Sequence, residues 1–205
     1  MQLEISEYYD DIYEKVSESK QKNLHDYFDA IEFKLLKNSY HFDRIMQTIQ
    51  QANKVESDDF HDLVHMPIYF EMESFLVSLR SSVDVCLHLL NFLFDMELRE
   101  NEVTLHTVFH HPQLPKSIRN IFERYTRPYN NPTWNFIYTS RNEVVHEKSV
   151  NQVLPLNIDF FSSLEPLFFF QYEKNDREMV SFFKQCLKFL DTFTSQLMQA
   201  LKISV

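Results

Sequence analysis

The stretch SFLVSLRSSVDVCLHLLNFLF, residues 74–94, decides the fold class. Its apolar side chains recur every three or four residues, which is the period of an α-helix with a buried face. We therefore predict a long helix over residues 67–98 at the centre of the core, with Pro67 tolerated in its first turn.

The polar residues of this helix are not scattered. Four of them lie within about 20° of one line when each residue turns the helix by about 100°: Glu73, Arg80, Asp84 and Asn91, with His88 about 60° away. Two interpretations remain open. The stripe is either a narrow solvated face held by an i,i+4 pair of Arg80 and Asp84, or a polar wall facing a cleft.

Other segments carry the helical period or residues that start helices. The first runs from residue 6, with Ser6 as its cap, to about residue 53, with a possible break at 17–23. Two further helices are predicted at 115 to about 129 and at 132–148, the latter preceded by Asn131. The last begins at Asn175 or Asp176 and ends at about residue 202. Residues 150–172 contain two prolines and no clear helical period, so they could hold two short extended pieces or a partly buried loop. The prediction is an all-α antiparallel helical bundle of about five main helices. Residues 1–205 form a single domain, with residues 1–55 as an N-terminal helical extension packed on it.

The chain contains no glycine, where average usage would give about 14. Glycine-rich phosphate loops, dinucleotide fingerprints and nucleophile elbows all need the backbone freedom of glycine, so these classes of site are excluded. Hairpin-rich β folds are disfavoured because their tight turns prefer glycine.

The two cysteines, Cys86 and Cys186, lie in no metal or redox motif, and we expect buried thiols in a reducing compartment. The N-terminus has no signal-peptide pattern, and no charge-free apolar run reaches 18 residues. We therefore expect a cytoplasmic protein that does not associate with a membrane.

The net charge of −10 argues against a general nucleic-acid binder, but the charge is uneven. Residues 110–150 hold three acidic residues, Glu123, Glu143 and Glu147, and six basic ones: Lys116, Arg119, Arg124, Arg127, Arg141 and Lys148. This segment is either a chance fluctuation of the surface charge or a surface for a polyanion.

Histidine clusters offer little chemistry. His61 and His65 in HDLVH share a helix face, but Asp62 follows the first histidine where a zincin-like site needs glutamate, and no third ligand is evident. His106, His110 and His111 likewise lack a fixed carboxylate partner. We predict surface histidines, no metal and no cofactor.

The stretch SRNEVVHEK, residues 140–148, carries the strongest pattern. A bare Arg-x(4–6)-His is expected about once by chance in such a chain, and a second match runs from Arg99 to His106 in RENEVTLH. The first match is sharper, because Asn142 follows Arg141, Val145 precedes His146 and the segment lies on a predicted helix.

Asn142 and His146 share a helix face, whereas Arg141 and His146 are about 140° apart. One straight helix should therefore not bring Arg141 and His146 together. A wrapped arginine side chain, a distorted helix or a dimer axis would.

Arg-Asn-x-x-x-His on a late helix of an all-helical chain resembles the HEPN superfamily (higher eukaryotes and prokaryotes nucleotide-binding domains). The likeness of architecture covers about residues 60–200. Many members are metal-independent endoribonucleases of toxin–antitoxin or antiphage systems, with a composite site at a homodimer interface. Others are non-catalytic dimerisation or nucleotide-binding modules.

The resemblance implies that His146 acts as acid or base, that Arg141 stabilises charge on the phosphorus and that Asn142 orients His146 or the phosphate. RNA would be held by Lys116, Arg119, Arg124, Arg127 and Lys148. An antitoxin or nucleotidyltransferase is an implied partner. Some members carry a tyrosine two residues after the histidine that accepts AMP, and Lys148 stands there instead. The competing interpretation is structural: Arg141 pairs with Glu147 or Glu73, and His146 packs.

Overall fold

The computed structural model describes residues 5–126, 131–160 and 166–205, and within them the chain is mostly helical. The α-helices are α1 Ser6–Tyr13, α2 Glu18–Ala52, α3 Met66–Leu93, α4 Leu105–His110, α5 Lys116–Thr126, α6 Pro132–His146, α7 Val150–Val153 and α8 Met179–Ser204. A π-helical turn, His61–His65, runs into α3, and a 3-10 turn spans Glu100–Glu102. The strands are β1 Leu156–Asp159, β2 Leu167–Tyr172 and β3 Asn175–Glu178. The predicted helical character is confirmed, but a purely all-α bundle of five helices is wrong.

The central helix α3 is present and mostly buried, as its apolar period predicts. It ends at Leu93 rather than 98, because Asp95 adopts a positive φ of 47° and the amide of Met96 donates to the carbonyl of Asn91 at 3.1 Å. By length and composition the stretch His61–Leu93 could cross a membrane, but 61% of its most apolar window is buried inside the protein. That burial is compatible with the core helix of a soluble protein.

The short extended pieces predicted within residues 150–172 are present as β1 and β2, and the departure from the prediction is that β3 joins them in a three-stranded sheet. Its order is β1-β2-β3, and both pairs are antiparallel, with Leu156 opposite Phe170 and Phe170 opposite Arg177. The turn between β2 and β3 uses Glu173 and Lys174 at positive φ, 49° and 63°. A positive φ costs about 1–2 kcal/mol for a residue that carries a side chain. Full burial of a phenylalanine such as Phe170 contributes about 1.5–3 kcal/mol, so the apolar face of β2 offsets that cost.

The same hairpin corrects the predicted start of the last helix. Asn175 and Asp176 lie in β3, and α8 begins at Met179. The carboxylate of Glu178 accepts from the amides of Val180 at 2.9 Å and Ser181 at 2.7 Å, and so it caps the helix that Asn175 or Asp176 was expected to cap.

The predicted N-terminal helix is two helices, α1 and α2. The break between them falls at residues 14–17, whereas the sequence indicates a break at 17–23. Ser6 is the first residue of α1 rather than its cap, and Ile5 stands at the cap without a side-chain bond. The start of α6 is confirmed: Pro132 opens it, and the Asn131 side chain accepts from the amide of Trp134 at 3.1 Å.

Backbone contacts divide the chain into two compact units. The first comprises Met1–Leu35, Arg80–Asn135 and Lys188–Val205, and the second comprises Leu36–Leu79 and Phe136–Leu187. The first has an aromatic core in which Phe122 packs on Phe193 with ring centroids 5.5 Å apart. In the second, Phe75 packs on Phe183 at 4.8 Å. Single-domain organisation with an extension over residues 1–55 stays a prediction.

Both cysteines are buried free thiols, as expected. Burial raises the pKa of Cys86 to about 12, with the nearby Asp84 charge as a second cause, and burial also raises the pKa of Cys186. Neither is a nucleophile at neutral pH, because the thiolate is the reactive form.

Candidate functional site

Helix α6 presents the candidate residues from a well-packed base. Phe136 is fully buried against the sheet and α8, with its ring 5.6 Å from Phe170 and 4.7 Å from Phe182. At the C-terminal end of α6, the amides of Glu147 and Lys148 both donate to the carbonyl of Glu143, at 2.9 and 2.8 Å. Arg141, Asn142 and His146 lie on the last turns between these two fixed points.

The three residues converge within one chain. Nη1 of Arg141 donates to Oδ1 of Asn142 at 3.1 Å and lies 3.5 Å from Nε2 of His146. Arg141 and Asn142 are half-buried, and His146 is exposed. At 3.5 Å the arginine–histidine contact is at the limit of a hydrogen bond. It requires that Nε2 carry the lone pair, which places the ring proton on Nδ1.

The side chain of Arg141, rather than the backbone of α6, brings these residues together. Their Cα atoms do point about 140° apart on an ideal helix, but the long side chain of Arg141 wraps towards the helix end. His146 is the last residue of α6, so its ring is not confined by a following turn. The first of the three sequence-based explanations, a wrapped arginine, is therefore the one observed.

The charge of Arg141 is not neutralised by a carboxylate within the described residues. Neither Glu147 nor Glu73 pairs with it there, so the structural interpretation loses its proposed ion pair. The Nε atom of Arg141 is buried and has no hydrogen-bond partner in the described part of the chain. The guanidinium thus retains both charge and donor capacity beside an exposed imidazole.

The predicted RNA-binding residues differ in availability. Lys116 and Arg124 are exposed on α5. Arg119 is half-buried and donates through Nη2 to the backbone carbonyls of His111 at 2.9 Å and Leu114 at 3.4 Å, so it fastens the preceding loop. Arg127 lies outside the described residues.

Lys148 follows the candidate helix and is partly neutralised. Its Nζ lies 3.3 Å from a carboxylate oxygen of Glu143, and both side chains are half exposed. Such pairs are weak in water, so Lys148 could exchange Glu143 for a phosphate at little cost.

The polar stripe on α3 has structural contacts. Arg80 forms the i,i+4 pair with Asp84 at 2.8 Å, but only 11% of its side chain is exposed, so it does not lie on a solvated face, and its guanidinium lies 5.0 Å from the centre of the Trp134 ring. Asn91 accepts from the amide of Leu98 and donates to its carbonyl, both at 3.1 Å. Glu73 is exposed.

The second Arg-x(4–6)-His match does not form a comparable cluster. Arg99 is exposed and its Nε lies 4.0 Å from Glu102, while the ring of His106 lies 4.6 Å from that of His110. No hydrogen bond joins Arg99 to His106 across the described ranges. The same bare pattern therefore has two different outcomes.

The histidine pair before α3 is not part of a metal-ligand cluster. The rings of His61 and His65 lie 6.1 Å apart, and burial, followed by the nearby His61, lowers the pKa of His65. Residues 5–126, 131–160 and 166–205 contain no group of three or more His, Cys, Asp or Glu side chains that could hold a metal ion.

One polar pair escaped sequence analysis. Nδ1 of His41 lies 2.6 Å from a carboxylate oxygen of Glu71, and its Nε2 is buried without a partner in the described residues. The signal was present, because His41 falls on the buried face of α2 beside Phe42 and Ile45. Its position far in sequence from residues 140–148 gives no indication that it belongs to a polar pair.

No protein-family model, no curated protein and no solved structure matches this chain.

Proposed function

We propose that this protein is an endoribonuclease of the HEPN type that cleaves RNA without a metal ion at Arg141, Asn142 and His146. The observation that supports it is the contact between an arginine without a carboxylate partner in the described chain and an exposed histidine, 3.5 Å apart at the end of α6. A phosphodiester needs a cation beside it and a proton-transfer group within reach, and this cluster offers both.

The proposed reaction is an internal transesterification. A base takes the proton of the ribose 2′-OH, the 2′-oxygen bonds to phosphorus, and the bond to the 5′-oxygen breaks as that oxygen accepts a proton. The products are a 2′,3′-cyclic phosphate and a 5′-OH end. His146 acts as the base or the acid through Nε2, the nitrogen that faces Arg141.

Arg141 stabilises the negative charge that grows on the phosphoryl oxygens in the transition state, because its planar fork of donors fits two oxygens. Asn142 serves as a positioning residue for Arg141, since its side-chain oxygen already accepts from Nη1 at 3.1 Å. This role differs from the orientation of His146 or of the phosphate that the resemblance implies.

The reaction needs one base and one acid, and a second copy of the chain would supply the second histidine in a homodimer. Lys116, Arg124 and Lys148 are the described cations that we assign to RNA, and Arg127 is a further candidate. We place the enzyme in the cytoplasm, in toxin–antitoxin or antiphage defence, with an antitoxin or nucleotidyltransferase as partner.

The test is cleavage of single-stranded and structured RNA in EDTA by the wild type, by His146→Ala and by His106→Ala. The last variant is the matched control, because His106 belongs to the second Arg-x(4–6)-His pair. We expect at least a 100-fold lower rate for His146→Ala, since general acid–base catalysis contributes about 10²–10⁴-fold, and an unchanged rate for His106→Ala.

Cleavage that survives in His146→Ala, or that requires Mg²⁺, would refute the proposal. A wild type that is inert on RNA but binds a nucleotide would instead support the alternative, a non-catalytic HEPN-like module. Growth arrest on expression that Arg141→Ala relieves is a simpler first assay.

A further inference from the structure

One face of α6 carries an exposed aromatic ring beside the candidate site. The side chains of Tyr138 and Val145 are 39% and 45% exposed. Arg141 and Asn142 lie between them in sequence and are half-buried. At about 100° per residue, the other three side chains leave the helix within about 60° of the direction of Tyr138. We call Tyr138, Arg141, Asn142 and Val145 the α6 face.

The carboxylates of this segment point away from the α6 face. Glu143 on α6 and Glu147 directly after it lie about 140° and 180° from Tyr138 at the same turn per residue. Arg141, on the face itself, has no carboxylate partner within residues 5–126, 131–160 and 166–205. The α6 face therefore combines an aromatic ring with a cation that is not neutralised. That combination suits an anion with a flat apolar part, as a nucleotide is.

We infer that Tyr138 is the base-stacking platform of the candidate site, and that the substrate is RNA with an unpaired base next to the scissile phosphate. This inference rests on the proposed function, because it assigns a further residue to the same site. The base lies flat on the ring of Tyr138, and the adjoining phosphate lies at Arg141. The two residues are about 4.5 Å apart along the helix axis, and one nucleotide bridges that separation between its base and its phosphate.

Tyr138 is suited to stacking because it is only partly exposed. More than half of the residue is covered by the protein, so its ring is held in place before RNA binds. A ring that is already ordered loses little side-chain entropy on binding. Every base has a π face, so stacking tolerates all of them. The site should therefore select unpaired RNA without selecting a particular base.

Double-stranded RNA cannot use this platform. In a duplex the faces of each base are covered by its neighbours, and proteins contact the backbone and the shallow groove instead. A base must leave the stack before it can lie on Tyr138, and this costs free energy in a duplex but little in a single strand. Structured RNA should accordingly be cleaved in its loops, bulges and ends.

Steady-state cleavage of a single-stranded oligoribonucleotide in EDTA, with Tyr138→Leu and Tyr138→Phe, tests this role. Leucine keeps the apolar bulk but has no π face. KM should rise about 10-fold in Tyr138→Leu, because stacking on an aromatic side chain contributes affinity of this order. The kcat should stay within about twofold, since the contact is equal in the bound substrate and the transition state. Tyr138→Phe should keep the wild-type KM, because the ring makes the contact.

The matched control is Tyr40→Leu, which removes a 58% exposed tyrosine ring from α2 and should leave KM unchanged. A second measurement removes the base instead of the ring. An oligonucleotide with a single ribonucleotide in a deoxy strand has one cleavable bond, and an abasic sugar is placed on either side of it in turn. One abasic substrate should raise the wild-type KM about 10-fold but leave the KM of Tyr138→Leu unchanged, because its stack is already lost.

The outcomes separate the stacking role from the ribonuclease function. A wild type that is inert on all-RNA strands would overturn both. A wild type that cleaves RNA, with the same KM in Tyr138→Leu as in Tyr40→Leu, would overturn the stacking role alone. Base loss that raises KM equally in the wild type and in Tyr138→Leu would do the same, as would cleavage of a duplex as fast as the single strand. If circular dichroism shows that Tyr138→Leu does not fold, a wild-type KM that neither abasic substrate raises would be decisive against stacking.

Discussion

Two arginines of this protein have opposite electrostatic situations. Arg80 is buried except for 11% of its side chain, and a carboxylate oxygen of Asp84 lies 2.8 Å away. Arg141 is half-buried, and its polar neighbours in the described chain, Asn142 and His146, bring no full negative charge in their neutral forms. Both are arginines on α-helices with a polar residue within one or two turns.

The difference separates an arginine that holds the fold together from one that is available to a ligand. A guanidinium paired with a carboxylate attracts a phosphate poorly, because the charges nearly cancel at distances beyond the pair. A guanidinium that contacts only neutral groups keeps its full attraction for an anion. This comparison predicts that changes at Arg141 affect function and that changes at Arg80 affect stability.

The largest effect is expected for Arg141→Ala. Loss of one donor to transition-state charge typically lowers a rate by about 10²–10³-fold, so single-turnover RNA cleavage should fall by at least about 100-fold. The melting temperature should change little. A melting temperature that falls as far as that of Arg80→Ala would contradict the distinction between the two arginines.

Arg80→Ala should lower the free energy of unfolding by about 1–3 kcal/mol, because it leaves the carboxylate of Asp84 without its partner and removes the cation from the Trp134 ring. Urea denaturation measures this change. Arg124→Ala, at an exposed position on α5, is the control and should stay within about 0.5 kcal/mol of the wild type. Equal decreases in the free energy of unfolding of Arg80→Ala and Arg124→Ala would show that the buried contacts of Arg80 do not stabilise the fold.

Asn142→Asp would give Arg141 the carboxylate that Arg80 already has. We expect about 10-fold weaker RNA binding and a salt dependence reduced by about one phosphate contact, since one cation is then neutralised. Fluorescence anisotropy over a range of salt concentrations measures both quantities. Asn157→Asp, at an exposed position of β1, adds the same charge elsewhere and should have a smaller effect. Similar losses in both would point to net charge rather than to Arg141.

The smallest effect is expected for Lys148→Ala. The pair of Lys148 and Glu143 spans 3.3 Å but is half exposed, so its loss should change the free energy of unfolding by less than about 0.5 kcal/mol. RNA affinity should fall only about two- to threefold, because Glu143 already screens this cation. A tenfold loss would mean that Lys148 releases Glu143 and contacts RNA directly.

Sequence reasoning located the long elements because their periodicity is a local property. Helix α3 follows from its apolar repeat, and the start of α6 follows from Asn131 and Pro132, whose side chains favour a helix N-terminus. The helical class of the protein was therefore accessible without a structure.

The hairpin between β2 and β3 was not accessible in the same way. Glu173 and Lys174 carry no preference for a positive φ, so nothing local marks a two-residue turn there. The turn exists because the aromatic residues of β2 pack against α6 and α8, which is a long-range effect. Absence of glycine made the turn costly but did not prevent it.

The candidate site was predictable in composition but not in geometry. The spacing of Arg141 and His146 indicates helix directions about 140° apart, yet the distance between their functional atoms depends on side-chain rotamers. Likewise, nothing in the spacing indicates that Asn142 accepts from Arg141. The sequence neighbours of Arg119 also do not reveal that it donates to the carbonyls of residues 111 and 114.

The burial of both cysteines has a practical consequence for measurements on this protein. Because Cys86 and Cys186 are inaccessible and their thiols stay protonated at neutral pH, thiol-directed reagents should leave the native chain unmodified. A cysteine introduced at an exposed position would then be the single reactive thiol. One fluorophore or spin label can therefore be attached at a chosen residue without first replacing Cys86 and Cys186, because these two cysteines do not react with the label.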